Sequence, residues 1–265
     1  MRFDVITLFP ELFTPFLTSG INRRAFDTGA VELKLWQLRD YADGTYRRVD
    51  DRPFGGGPGM VMLAEPLEKC LQAVRQDRAT QALAQAQVPV VLFSPIGQKL
   101  NHAVVESWSQ SDGAILICGR YEGLDQRFID SHVDVQISLG DFVLSGGEIA
   151  AIALLDAVAR LQPGVLNDAG SHQMDSFNPA LDGLLDCGHY TRPETWNDQT
   201  VPSILMSGHH ADIAQWRRQQ SLALTQKHRP DLVVVARDRG HLSSKDEHFL
   251  TQLSIRKVKD SQDEP

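Results

Sequence analysis

Three apolar runs, each ending in a glycine-bearing loop, constrain this chain more than any other feature. VPVVLF (Val88 to Phe93) leads into SPIGQ, AILIC (Ala114 to Cys118) into GRYEG, and VDVQISL (Val133 to Leu139) into GDFVLSGGE. Continuous apolar strands of this length are buried on both faces, as in a parallel sheet covered by helices. Segments Asn101 to Gln110, Asp125 to His132 and Glu148 to Leu161 read as helices between and after them, so the fold class is α/β. Ligands of such sheets settle outside the carboxyl ends of the strands, where all three loops fall. Any one of Gly119, Gly123, Gly140, Gly146 and Gly147 is explained as well by a turn. Three glycine-bearing loops together favour a pocket in which backbone N–H and C=O groups approach a flat ligand closely.

The rest of the chain divides by texture. RFDVITLF reads as a strand, followed by a helix that Pro10 opens, because a first-turn proline loses no intrahelical bond. Val31 to Leu38 reads as a second strand. Arg39 to Met60, polar and ending in GGGPGM, is too long for a tight turn and reads as a functional or mobile loop. A helix is expected over Glu65 to Arg75, then an alanine-rich helix end or connector over Gln76 to Gln87. After Gln162 proline, glycine, asparagine and aspartate dominate to about Pro202, the composition of a linker. A helical module follows. Its first helix, His210 to Lys227, is expected to turn Ile213, Trp216, Leu222 and Leu224 to a core and Arg217 and Arg218 outward, and a last helix runs from Lys245 to Val258. The expected division is an α/β domain over 1–162, a linker over 163–202 and a helical domain over 203–265.

Several classes are excluded. No run approaches the roughly 18 apolar residues of a membrane span, and Asp4 and Pro10 make the first strand unlike a signal peptide, so a cytoplasmic protein is expected. Cys70, Cys118 and Cys187 form no C-x-x-C pair and suit reduced thiols. A net charge of −8 argues against indiscriminate coating of nucleic acid, though it leaves room for local basic faces. The first strand runs into LFPELF without the G-x-G-x-x-G of a dinucleotide site, and GGGPG lacks the GK[ST] ending of a nucleotide-phosphate loop.

VDDRPFGGGPGM (Val49 to Met60), SPIGQKL, CGRYEGLDQR, SLGDFVLSGGE, PGVL and GLLDCGHYTRP (Gly183 to Pro193) resemble, in order, the bacterial tRNA (guanine-N1)-methyltransferases, which modify guanosine 37 beside the anticodon. The resemblance runs from Met1 to about Asp231. It implies a SPOUT-type fold with a deep trefoil knot, S-adenosylmethionine as methyl donor, an obligate homodimer with active sites across the interface, and a C-terminal helical domain that grips tRNA. The family's activity is linked to Mg²⁺, for which no ligand cluster is evident in the sequence.

The resemblance also assigns roles. Leu92, Phe93, Ser94, Pro95 and Gly97 would form one wall of the donor pocket, and Gly119, Tyr121, Glu122 and Gly123 a second. Ser138, Leu139, Gly140, Asp141, Phe142, Leu144, Gly146 and Gly147 would form the third. Glu122 is the partner for positive charge on the donor, or else a surface ion pair. Asp175 of the DSF motif is the expected general base and Arg160 the cation for O6 of guanine, with helix capping as the alternative for Asp175. Contacts to tRNA are expected from Arg217, Arg218 and Asp186. The chain departs from the family pattern in extra residues near Asn178 to Asp182, in Gly188 where proline is usual, and in His209, read as tolerated or RNA-facing, without structural zinc. Two other functions remain open: methylation at another RNA position, and RNA binding without catalysis.

Overall fold

The computed structural model describes residues 1–81, 87–166 and 171–260, excluding the side chains of 171, 172 and 256–260. Residues 82–86 of the alanine-rich connector and 167–170 of the linker lie outside the described residues. The chain forms two compact units, Met1–Asn167 and Asp168–Pro265.

The first unit is α/β. Its strands are β1 (Arg2–Thr7), β2 (Glu32–Gln37), β3 (Asp50–Asp51), β4 (Val61–Met62), β5 (Val90–Lys99), β6 (Gly113–Ile117) and β7 (Val135–Ser138). Its helices are α1 (Thr14–Thr18), α2 (Gly20–Asp27), α3 (Ala64–Thr80), α4 (His102–Ser109), α5 (Gln126–His132) and α6 (Glu148–Ala159). Five strands pair in the order β2-β1-β6-β5-β7, every pair parallel, while β3 and β4 form a separate antiparallel ladder. Alternation along the central strands feeds two cores. Phe3, Val5, Ala114 and Leu116 pack with Leu154, Leu155 and Val158 of α6, while Ile6, Ile115 and Ile117 pack with Leu67, Leu71 and Val74 of α3. Burial on both faces is why these runs carry so few polar residues. Among the exceptions is Asp4, fully buried, whose carboxylate accepts from Arg2 Nη2 (2.6 Å), Trp36 Nε1 (2.9 Å) and Arg78 Nη1 (2.7 Å). A charge so enclosed is tolerated only when paired in this way.

Two expectations for this unit are revised. The helix expected after Pro10 is a 3-10 turn, Pro10–Phe13, followed by two short helices, because Pro15 and Gly20 punctuate the segment. SPIGQ does not end its strand. β5 leaves the ladder and returns to it, so that Ile137 of β7 pairs with both Phe93 and Gln98. The excursion requires glycine at 97, where a Cβ would lie 2.5 Å from the Gln136 carbonyl carbon and the Ile137 nitrogen.

The second unit contains a small ladder of β8 (Thr195–Trp196) with β9 (Gln199–Thr200) and the helices α7 (His210–His228), α8 (Pro230–Asp238) and α9 (Ser244–Asp260). Leu184, Leu222, Val233, Ala236 and Leu250 form its core. On α7 the buried residues are Ser221, Leu222 and Thr225, whereas Ile213, Trp216 and Leu224 are only half-buried, which corrects the expected core face. Thr225 is drawn inward because its hydroxyl accepts from the Leu185 N–H (3.0 Å) and donates to the Ser221 carbonyl (2.7 Å). The inserted residues form a 3-10 turn, Pro179–Leu181, capped by the Asn178 side chain and closed by Asp182 in the left-handed region (φ 58°).

Candidate functional site

The excursion of β5 and the carboxyl ends of β6 and β7 converge on a cavity of about 390 Å³. The first expected wall contributes Leu92, Phe93, Ser94 and Pro95, and the second Gly119, Tyr121, Glu122 and Gly123. From the third, Ser138, Leu139, Gly140, Phe142, Leu144, Gly146 and Gly147 line it. Gly97 is not among the lining residues; it acts from behind, by letting β5 close on β7. Asp141 is also outside the lining, exposed and paired with Lys99 Nζ at 2.8 Å.

Arg120 and Gln136 line the cavity as well and were not singled out in the sequence. Arg120 lies inside the GRYEG motif, so its position was available. Its guanidinium pairs with the Glu148 carboxylate at 2.9 Å, donates to the Ser145 carbonyl at 3.2 Å and lies 4.4 Å from the Phe9 ring centroid. Glu148, at the start of α6 and fully buried, also accepts from the Thr7 hydroxyl at 2.8 Å. The Gly147 N–H donates to the Gly119 carbonyl at 2.9 Å. The second and third walls are thereby one assembly. Gly146 is part of it, since a Cβ there would stand 2.2 Å from Arg120 Nε.

The glycine-rich loop does not line the cavity but braces its second wall. Its β4 end bonds to the YEG turn, with Met62 N–H donating to Gly123 O (2.9 Å) and Glu122 N–H donating to Met60 O (3.0 Å). A Cβ on Gly59 would lie 2.3 Å from Glu122 Oε1, so the last glycine of GGGPG makes room for that carboxylate. Tyr121 holds a left-handed conformation (φ 61°). Partial burial raises its phenol pKa, Asp50 adds to the rise, and Arg39 opposes it. Burial, reinforced by Glu148, pushes the Cys118 thiol far above its ordinary value, which leaves it no nucleophilic character at neutral pH.

Arg160 and Asp175 fall in different units, and both are half-buried. Arg160 terminates α6, its N–H bonded to the Asp156 carbonyl. Asp175 follows the 3-10 turn Ser171–Met174, and its carbonyl accepts from the Asn178 N–H at 3.2 Å. Asn178, not Asp175, caps the next turn, so the position of Asp175 is not that of a helix N-cap. Asp186 accepts from its neighbour's Cys187 N–H (2.7 Å) and lies 2.8 Å from His189 Nε2. Arg218, expected to face outward, is three-quarters buried and ion-paired with Asp182 (2.8 Å) and Asp246 (3.2 Å). Arg217 is exposed. His209 is exposed just ahead of α7 and makes no side-chain cap. Among the described residues no group of three or more His, Cys, Asp and Glu is placed to hold a metal ion, and no helix is long and apolar enough to cross a membrane.

The family model described as tRNA (Guanine-1)-methyltransferase TrmD matches residues 1–235. The chain belongs to this family. Among its relatives is the tRNA (guanine-N(1)-)-methyltransferase of a Polaromonas species, 72% identical over 96% of this chain and 97% of the relative. The protein of the same name from Paracidovorax citrulli is 69% identical over 96% and 99%, and that from Bordetella pertussis 54% identical over 96% and 98%. The match spans the three cavity walls, Arg160 and Asp175 alike, so membership of the tRNA (guanine-1)-methyltransferase family rests on both units.

Proposed function

We propose that this protein transfers a methyl group from S-adenosylmethionine to N1 of guanosine 37 in tRNA. The observation that carries the reading is the cavity at the strand ends, walled by three loops of a chain in the tRNA (guanine-1)-methyltransferase family. Its volume falls within the roughly 300 to 1,000 Å³ of small-molecule sites. The residues suit the donor chemically. Glycine-bearing walls offer peptide groups to the adenine and ribose, and the Glu122 carboxylate offers a partner for the donor's positive charge. When bound, S-adenosylmethionine supplies an electrophilic methyl group on a cationic sulfur.

N1 of guanine carries a proton at neutral pH, so a base must take it before N1 can attack, and the negative charge then spreads toward O6. Asp175 is the base in this reading: its carboxylate accepts the N1 proton. Arg160 supplies the cation, because the fixed fork of a guanidinium can bond O6 and hold the ring in plane. The active protein is a homodimer of SPOUT-type knotted subunits in the cytoplasm, with the division at 1–162, 163–202 and 203–265 as its working parts. Support for the dimer comes from Phe9, Leu12, Ile21 and Ile149, exposed apolar side chains on three elements that pack together. Mg²⁺ would act through the RNA or the donor rather than through a ligand cluster of the described residues. The reading is tested by comparing methyl transfer to tRNA transcripts that carry G, A, C or U at position 37. Transfer confined to the G37 transcript is expected, and transfer that ignores position 37 would place the reaction elsewhere on the RNA.

A further inference from the structure

The second unit carries a cavity that the catalytic reading does not use. It measures about 240 Å³ and is lined by His189, Tyr190, Ile213, Trp216 and Arg217, with Val201 and Leu205 as aliphatic floor. The Tyr190 and Trp216 rings stand 6.1 Å apart at 57°, so they do not stack on each other and each keeps a face for a third ring. Tyr190 is half-exposed, and so the pair is open to solvent. Residues 188–200 ahead of α7 are exposed throughout and add Arg192 and Trp196 to the same segment.

Polarity is distributed unevenly around this cavity. Arg218 is held by Asp182 and Asp246, whereas its neighbour Arg217 lines the cavity and makes no ion pair among the described residues. His189 is fixed by Asp186 at 2.8 Å, which presents its ring edge in one orientation. Two aromatic faces, an exposed guanidinium and one oriented polar edge are the elements with which proteins hold an unstacked base and its phosphate. The volume lies below that of drug-sized sites and suits a single ring system. A duplex has no base free to enter it.

We infer that this cavity is a base-stacking subsite of the tRNA-binding unit: one unpaired nucleobase of the RNA stacks on Trp216 or Tyr190, and its phosphate pairs with Arg217. The inference rests on the proposed tRNA substrate and adds to it a site of aromatic recognition separate from the methylated guanine. A neutral stacking contact contributes affinity that does not depend on salt, whereas a phosphate contact contributes a salt-dependent part.

The test measures dissociation constants of the full-length protein for a tRNA transcript across a salt series. Trp216→Ala and Tyr190→Ala should each weaken binding by about 5- to 100-fold, with the slope against salt unchanged. Trp216→Phe should stay close to wild type because it keeps a π-face. Arg217→Ala should weaken binding and reduce the slope by about one counterion. On every variant S-adenosylmethionine affinity should match wild type, and an unchanged helical circular dichroism signal and melting temperature show that the mutated second unit is folded. Wild-type affinity for tRNA in both alanine variants would overturn the subsite while leaving the methyltransferase reading intact. So would altered self-association with unchanged tRNA binding, which would assign the cavity to a protein contact. Wild-type protein that binds donor but no tRNA would overturn both.

Discussion

At the residue scale the account turns on what single side chains do for charge and space. If Asp175 takes the N1 proton, Asp175→Ala and Asp175→Asn should both lower the single-turnover rate by about 10² to 10⁴ fold, with donor affinity close to wild type. The amide is the informative variant, since Asn keeps the size and hydrogen-bonding reach of Asp and removes only the carboxylate that would take the proton. Arg160→Ala should fall into the same class of slow enzyme that still binds donor. Gly146 makes a different prediction. A Val side chain there collides first with the Arg120 guanidinium, which Glu148 and Ser145 hold in place, so the second and third walls must move apart. Gly146→Val should therefore abolish measurable donor binding in calorimetry. Gly140→Val should also weaken it, by straining a backbone at φ 153° and pressing on the Phe142 ring. Donor binding by both variants at wild-type strength would mean that these glycines only shape turns.

At the scale of elements, much of the first unit was legible and the reasons are physical. β1 and β6 are buried along their whole length, and the apolar residues that dominate β6 and alternate with polar ones in β1 and β7 could be read as strands of a parallel sheet. α6 was legible for the same reason. The β5 excursion was not, because its return to the ladder depends on a close backbone approach at Gly97 that no periodicity encodes. Arg120 was missed because its role depends on Glu148 and Thr7, distant in sequence. In the second unit α8 was not anticipated: its Val-rich centre has poor intrinsic helix propensity, and the helix forms as Pro230 opens it and Val233 and Ala236 are buried. The outward reading of Arg218 failed because its partners come from the inserted turn and from α9. Those partners yield a pH prediction. Burial tends to raise the Asp246 pKa, but hydrogen bonds from Arg218 and Ser243 outweigh it and hold the carboxyl below its ordinary value. A depressed carboxyl stabilises the fold above its unfolded pKa of roughly 3.9, and that contribution is lost as pH falls through the folded value. Thermal melts of wild type and Asp246→Asn should thus differ at pH 7 and converge as pH drops below about 4. At neutral pH, Arg218→Ala should cost about 1 to 3 kcal/mol of stability, since it strands two partly buried carboxylates. A wild-type melting temperature for Arg218→Ala would deny the pair a structural role.

At the scale of the whole molecule, the exposed apolar side chains of the first unit and the chemistry of the cavity belong to one proposal, an assembled enzyme. Ile149→Lys should shift the protein from dimer to monomer in sedimentation and reduce methyl transfer with it; a variant that stays dimeric would move the interface elsewhere. Family membership was legible because six motifs occur in order through the cavity walls and the linker, whereas no periodicity speaks to a knot or to a second copy. The most direct measurement is transfer from methyl-labelled S-adenosylmethionine to a full tRNA transcript, followed by digestion to nucleosides and mapping of the modified position. The account predicts that the label resides in N1-methylguanosine at position 37. Label in any other nucleoside or at any other position, or an RNA that binds without becoming labelled, would contradict it.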